Sequence, residues 1–198
     1  MSTEITTATD LSSVSHRPRR ADAQRNYDKL VAAAREAFTQ KDRDASLEEI
    51  ARQAGVGIGT LYRHFPTRQQ LLEAVYVDEV EAMCRSAEDF AELPPWEALV
   101  GWLHRLVGYV TTKQALIEEL FVYTGPEAKV FANCRAALVG AGGPLLERAQ
   151  EAGVVRTDVC VSDVIHLVSG IAKLSTLEPE QVRHLLDVAI DGLRVRPD

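Results

Sequence analysis

The stretch from Ser46 to Phe65, SLEEIARQAGVGIGTLYRHF, constrains the fold of this chain more than any other. It reads as two short helices joined by a tight glycine turn, the second ending against Pro66. Ser46 and Glu49 have the S-x-x-E spacing of a capping box, in which each residue satisfies an orphan donor of the first turn. Leu47, Ile50, Ala51 and Ala54 follow at i, i+3, i+4 and i+7, one apolar face of a short helix. Gly55 supplies the sharp turn between the helices. The second helix is poor core material: it opens with Gly57-Ile58-Gly59-Thr60 and carries Tyr62, Arg63 and His64 near its end. Small residues at the front let a helix approach a base edge closely, and polar aromatics and cations behind can hold phosphates.

The charge distribution agrees with that reading although the total does not. The 198-residue chain carries a formal charge of −7, which by itself argues against a nucleic-acid partner. Yet Ser15 to Arg68 holds 11 Lys/Arg against 7 Asp/Glu, while Gln69 to Asp198 holds 11 against 20. A basic amino-terminal third on an acidic body is the asymmetry expected when one module faces a polyanion. With 46% hydrophobic and 26% charged residues the composition is that of a globular protein with a real core. Valine and isoleucine do not alternate, and Ala, Leu, Glu and Arg dominate, so helix is the expected element.

GVGIGTLYRHFPTRQQLL resembles the helix-turn-helix signature of the tetracycline-repressor (TetR/AcrR) transcriptional regulators. The resemblance covers about Arg20 to Val75 and is carried by the turn glycine, Gly59-Thr60-Leu61-Tyr62, His64-Phe65 and Leu71-Leu72. The family usually has lysine where Arg68 stands, which keeps the charge but changes the shape of a phosphate contact. The resemblance implies an all-α protein with a three-helix DNA-binding head and a helical ligand-sensing and dimerisation bundle. On that reading residues 1–18 are a disordered, basic-ended arm, 19–68 the DNA-binding domain, and 69–198 the ligand-binding and dimerisation domain.

The DNA-facing residues follow from position and motif. Gly57, Ile58, Gly59 and Thr60 open the recognition helix, where base edges are in reach; Ile58 suits a thymine methyl. By motif match Tyr62 and His64 are backbone contacts, with Arg63 between them. Thr67 and Arg68 sit at a helix start, where backbone N–H groups favour phosphate. Arg52 and Gln53 end the first motif helix and can meet base or phosphate; Ser46 is a cap that joins the same face. Arg19 and Arg20, with Arg17, form a short arm suited either to a narrow minor groove or to solvent. Leu61 and Phe65 are core by spacing.

Further along, a helix is expected from Ala21 to Gln40, with Leu30, Ala34, Ala37 and Phe38 as its stripe, and Lys41 to Asp44 forms a polar loop. Thr67 caps a helix that runs to about Asp89. Leu93-Pro94-Pro95 marks a break, with Pro95 suited to a first turn. Helices are then expected from Pro95 to about Thr112, Gln114 to Tyr123, Glu127 to Val139 and Leu145 to Ala152. Gly140 to Pro144 is either a kink or a full break, and Gly153 a stop. Ser162 to Ser175, capped by Ser162, and Pro179 to Arg194 complete the chain.

The body invites two assignments. The resemblance makes the last two helices a homodimer interface, with Val164, Leu167, Val168, Ile171, Val182, Leu185, Leu186, Ala189 and Leu193 on their apolar faces. Dimerisation has an independent reason, since two dyad-related helices read a palindrome where one reads too little. A small apolar or aromatic effector would be lined by Met83, Trp102, Leu106, Tyr109, Phe121, Tyr123, Phe131 and Cys134, with His104 and His166 as polar groups. Aromatics at such spacing also suit a plain core.

Catalytic motifs are missing: no G-x-S-x-G, P-loop, H-E-x-x-H or glycine fingerprint after a strand is present. Cys84, Cys134 and Cys160 are far apart and odd in number, which suits buried thiols rather than disulfides or zinc. No run of 18 apolar residues and no apolar signal region occurs, so a cytoplasmic chain without cofactor, metal or membrane contact is expected. The function to test is a DNA-binding transcriptional regulator, probed against a non-transcriptional DNA-binding protein whose body takes a protein partner.

Overall fold

A computed structural model describes residues 17, 18, 20–39, 45–125, 127–174 and 178–195. Among these the helices are α1 (Ala21–Thr39), α2 (Leu47–Gln53), α3 (Ile58–His64), α4 (Arg68–Arg85), α5 (Pro95–Thr124), α6 (Lys129–Glu151), α7 (Val161–Ala172) and α8 (Pro179–Asp191). A short 3-10 turn, Glu88–Phe90, follows α4, and Val155 and Arg194 form an isolated antiparallel bridge. The expected loop Lys41 to Asp44 and the arm before Arg17 lie outside the described residues.

Chain contacts divide the molecule into two units. One takes in the described residues up to Val80 together with Lys113–Cys134; the other takes in Glu81–Thr112 and the described residues from Arg135 onward. Residues of α4 up to Val80 fall in the first of these, with Leu71, Leu72, Val75 and Val80 buried. In the head α1 packs on α2 and α2 on α3. Tyr27, Leu30, Ala34 and Phe38 of α1 are buried, as are Ile50, Ala51, Leu61 and Phe65. Burying such side chains contributes roughly 1.5–3 kcal/mol each, before chain entropy is set against it.

Five helix bounds differ from the sequence reading. α5 is one helix of 30 residues rather than two. The Thr111 and Thr112 hydroxyls donate back to Val107 O and Gly108 O, so the polar run at its middle is satisfied inside the helix. It ends at Gly125, whose φ of +73° is left-handed backbone. α6 likewise runs unbroken through Gly140 to Pro144, with Pro144 inside it. The glycines there answer to packing: a Cβ on Gly142 would lie 2.6 Å from Trp102 Cζ3 and Cη2, so the indole rests on bare backbone.

The start of α7 is shifted as well. Cys160, not Ser162, is the N-cap, in extended backbone at φ −105°, and its N–H donates to the Asp163 carboxylate at 2.9 Å. That bond holds the Asp163 carboxyl below the usual carboxylate range. α4 stops at Arg85 rather than Asp89, and α8 at Asp191 rather than Arg194, whose guanidinium lies over the Trp96 ring at 3.8 Å.

Candidate nucleic-acid interface

The helix-turn-helix is built by two different endings. α2 starts with Ser46 Oγ accepting from Glu49 N at 3.1 Å. The reciprocal half of the expected capping box is absent from the bonds of this cap, because the Glu49 carboxylate turns the other way. It accepts from Arg52 Nε at 2.9 Å and from Gln53 Nε2 at 3.2 Å. The Arg52 hydrogen bond holds the Glu49 carboxyl below its ordinary range. α2 ends at Gly55, φ +64°, where Val56 N–H reaches back to Ala51 O at 2.9 Å. That left-handed residue is what a non-glycine side chain would strain.

α3 is seven residues long, and only Leu61 within it is buried. Leu61 and the C-cap residue Phe65 fasten it to the head, with the Tyr27 ring 5.0 Å from that of Phe65 and 6.3 Å from the His64 imidazole. Tyr27 is a positioning residue the sequence did not single out; its only signal was an aromatic in register with the α1 stripe. The rest of α3 faces outward: Ile58 is 38% and Tyr62 44% exposed. Gly57, the N-cap, makes no side-chain cap, and a Cβ on Gly57 or Gly59 would meet nothing within 4 Å. Neither has positive φ. A helical glycine costs roughly 1 kcal/mol against alanine, and here the fold itself does not require it.

The polar groups around α3 divide into free-standing and committed ones. Arg63 Nη2 donates to Thr60 Oγ1 at 2.7 Å, and both remain at the surface. Burial, then the Arg63 charge, pushes the His64 imidazole below its usual range, which favours its neutral form. Thr67 Oγ1 accepts from Gln70 N at 3.2 Å, the expected cap. Arg20 is exposed, with its carbonyl accepting from Gln24 N as α1 begins, while Arg19 lies outside the described residues. Arg17 does not extend freely: its Nη2 meets Asp78 Oδ1 at 2.9 Å.

Arg68 is held by partners within the chain. Its Nε donates to Glu119 Oε1 at 2.8 Å, its Nη1 donates to Ala45 O at 2.6 Å, and the guanidinium lies 4.9 Å from the Phe38 ring centroid. Both Arg68 and Glu119 side chains are less than a fifth exposed. Arginine's planar fork presents its donors in fixed directions and can stack on a ring, where lysine offers a compact rotatable charge. Lys113 and Glu79 make a second part-buried pair at 3.1 Å, and Arg35 joins Glu79 at 2.7 Å and Asp78.

With this geometry in place the comparisons are decisive. Residues 30–75 match the family model described as bacterial regulatory proteins, tetR family, and 94–195 match the model for the C-terminal domain of SbtR-like transcriptional regulators. This chain belongs to the TetR family. A TetR regulator of Streptomyces coelicolor, SCO0520, is 40% identical over 86% of this chain and 99% of its own, with a TM-score of 0.66. A TetR regulatory protein of Mycobacterium vanbaalenii is 34% identical over 90% and 100%, with a TM-score of 0.68. The regulator SrpR of Pseudomonas putida is 32% identical over 53% of this chain and 49% of its own length. The chain spans about half the length of such curated relatives.

Within this TetR-family chain the residues assigned to the dimer face separate into two sets. Val164, Val168, Val182, Leu186 and Leu193 are buried within the single chain, so they belong to its own core. Leu167 and Leu185 are exposed, Ile171 and Ala189 partly so, and exposed Leu174 and Val188 join them although spacing alone did not select them as interface. Part of this apolar stripe faces inward because α7 packs on α8.

The effector residues separate likewise. Met83, Trp102 and Leu106 are buried in one unit, with Tyr109 partly exposed. Phe131, Cys134 and the exposed Phe121 belong to the other, where the Phe121 and Phe131 rings stack at 4.4 Å; Tyr123 is exposed as well. His104 is partly exposed and His166 exposed. His104 Nε2 is 3.2 Å from Asp187 Oδ1, and exposed His166 is 3.3 Å from Arg135 Nη1. Among the described residues no cluster of His, Cys, Asp and Glu suits a metal, and no helix is long and apolar enough to cross a membrane.

Proposed function

We propose that this regulator binds a palindromic operator as a homodimer, with α3 of each copy in the major groove, and represses transcription until a small apolar or aromatic molecule releases it. The observation that carries the DNA reading is the outward face of α3. Two glycines without a steric reason inside the chain flank exposed Ile58, and a braced arginine follows one turn later. Glycines that the fold does not need leave room for a partner that comes close. Arg20, Ser46, Arg52, Gln53, Tyr62, His64 and Thr67 surround that face and complete it.

Homodimerisation is supported by exposed Leu167 on α7, Leu174 just after it, and Leu185 and Val188 on α8, since exposed apolar surface favours association. Effector binding is supported by the buried aromatic set. Trp102 Nε1 is buried with no hydrogen-bond partner among the described residues. An unmet buried donor costs about 1–3 kcal/mol, so an effector bearing an acceptor beside its apolar surface fits best. A second reading, a body that docks a protein partner, draws support from exposed Phe121, Val122 and Tyr123 at the end of α5. We place the protein in the cytoplasm, as a regulator rather than an enzyme.

Selection of bound duplex from a random pool, with and without a metabolite library, tests the whole reading. A palindromic consensus whose recovery falls with one compound is the expected result. Absence of any enriched sequence would remove the operator-binding function. Enrichment that no compound alters would favour the protein-partner reading of the body.

A further inference from the structure

The recognition helix carries a specific base contact that its motif does not announce. Successive residues of an α-helix are about 100° apart around its axis. Leu61 points into the core, fully buried. On that wheel Gly59 and Arg63 fall about 20° either side of the direction opposite Leu61, one turn apart, while Thr60 and Tyr62 lie about 100° to the two flanks. Gly59 has no side chain, so Arg63 is the outermost side chain of α3. A helix seated in the major groove turns its outermost ridge to the base edges and its flanks to the phosphate walls.

We propose that Arg63 reads a guanine in each half-site, through O6 and N7, and that Thr60 is its positioning residue. The inference rests on α3 being the helix that enters DNA. Arg63 Nη2 donates to Thr60 Oγ1 at 2.7 Å, which restrains the guanidinium before DNA arrives. Guanidinium has five N–H donors in a rigid fork, so the bond to Thr60 leaves enough for a bidentate pair with guanine. No acidic side chain takes up Arg63 in the bonds of the described residues, in contrast to Arg52, whose fork is closed on Glu49. Tyr62 and Thr60 are thereby assigned to the groove walls. The open space around Gly57 and Gly59 lets the ridge descend far enough for the fork to reach.

The test starts from the consensus that the full-length wild-type chain selects from a random duplex pool. Each guanine of that consensus is replaced in turn by 7-deazaguanine, which lacks the N7 acceptor, and affinity is read by fluorescence anisotropy. One guanine per half-site should lose roughly tenfold or more in wild-type affinity. The same replacement should leave the affinity of Arg63→Ala unchanged, and selection with Arg63→Ala should return the consensus without that guanine. Thr60→Val should lower affinity several-fold at that guanine alone. Circular dichroism checks the folding of the variants, and the 7-deazaguanine series on wild-type protein stands without them. A consensus lacking guanine, or one whose guanines all tolerate the replacement, overturns the assignment. So does an Arg63→Ala protein that selects the same consensus and loses affinity equally on scrambled duplex, which would make Arg63 a phosphate contact. Failure of the wild-type chain to enrich any sequence would instead sink the operator-binding reading beneath it.

Discussion

Replacing Gly59 should push stability and DNA affinity in opposite directions. A Cβ at this position meets nothing within 4 Å, and the backbone φ is not positive. Gly59→Ala therefore gains helix propensity without a clash, up to about 1 kcal/mol. For a chain of this size that raises Tm by about 2–4 °C. Gly142→Ala is the matched control. Its Cβ would sit 2.6 Å from two atoms of the buried Trp102 ring, so the same propensity gain is opposed by overpacking of about 1–3 kcal/mol. Thermal unfolding should thus show Gly59→Ala above wild type and Gly142→Ala at or below it. The operator assay completes the argument. Gly59→Leu remains folded, but its bulk holds α3 off the base edges, and operator affinity falls toward the non-specific level, a loss on the order of 10³-fold. If Gly59→Ala proves less stable than wild type, α3 packs its outer face inside the fold. If Gly59→Leu keeps native operator affinity, some other face reads DNA.

Three further outcomes are expected. Leu186 is 1% exposed, so Leu186→Glu buries an unpaired charge at a cost of several kcal/mol and should unfold the chain, whereas Leu185→Glu or Val188→Glu should give folded monomers by sedimentation and circular dichroism; a folded Leu186→Glu dimer would refute the division. Arg68→Ala strands a part-buried Glu119 and should cost about 1–3 kcal/mol in urea unfolding, while unchanged stability with reduced DNA affinity would return Arg68 to the phosphate role. The His64 imidazole is held below its usual range in the free protein, and a phosphate beside it would favour the charged form. DNA binding should then take up a proton: affinity rises as pH falls through the raised value in the complex and levels off below the lowered value of the free protein. His64→Gln should flatten that rise, and an unaltered profile would exclude the contact.

The sequence by itself determined the parts of this protein that local rules control. Ser46, Gly55 and Thr67 act within a turn of where they stand, so the cap of α2, the left-handed turn and the start of α4 were readable directly. The 3.6-residue period likewise placed Leu30, Ile50, Leu61 and Leu71 in a core, and the motif marked the face of α3. Tertiary structure decided what periodicity leaves degenerate. An apolar stripe does not say whether it meets its own chain or a second copy, and the packing of α7 on α8 split that stripe between Leu186 inside and Leu185 outside. Glycine-rich sequence does not say whether it breaks a helix or admits a ring, and Trp102 kept α6 whole by resting on Gly142. A cation at a helix start does not declare its partner. Arg68 meets Glu119, 51 residues away, because only the folded chain brings a carboxylate within reach of a largely buried guanidinium.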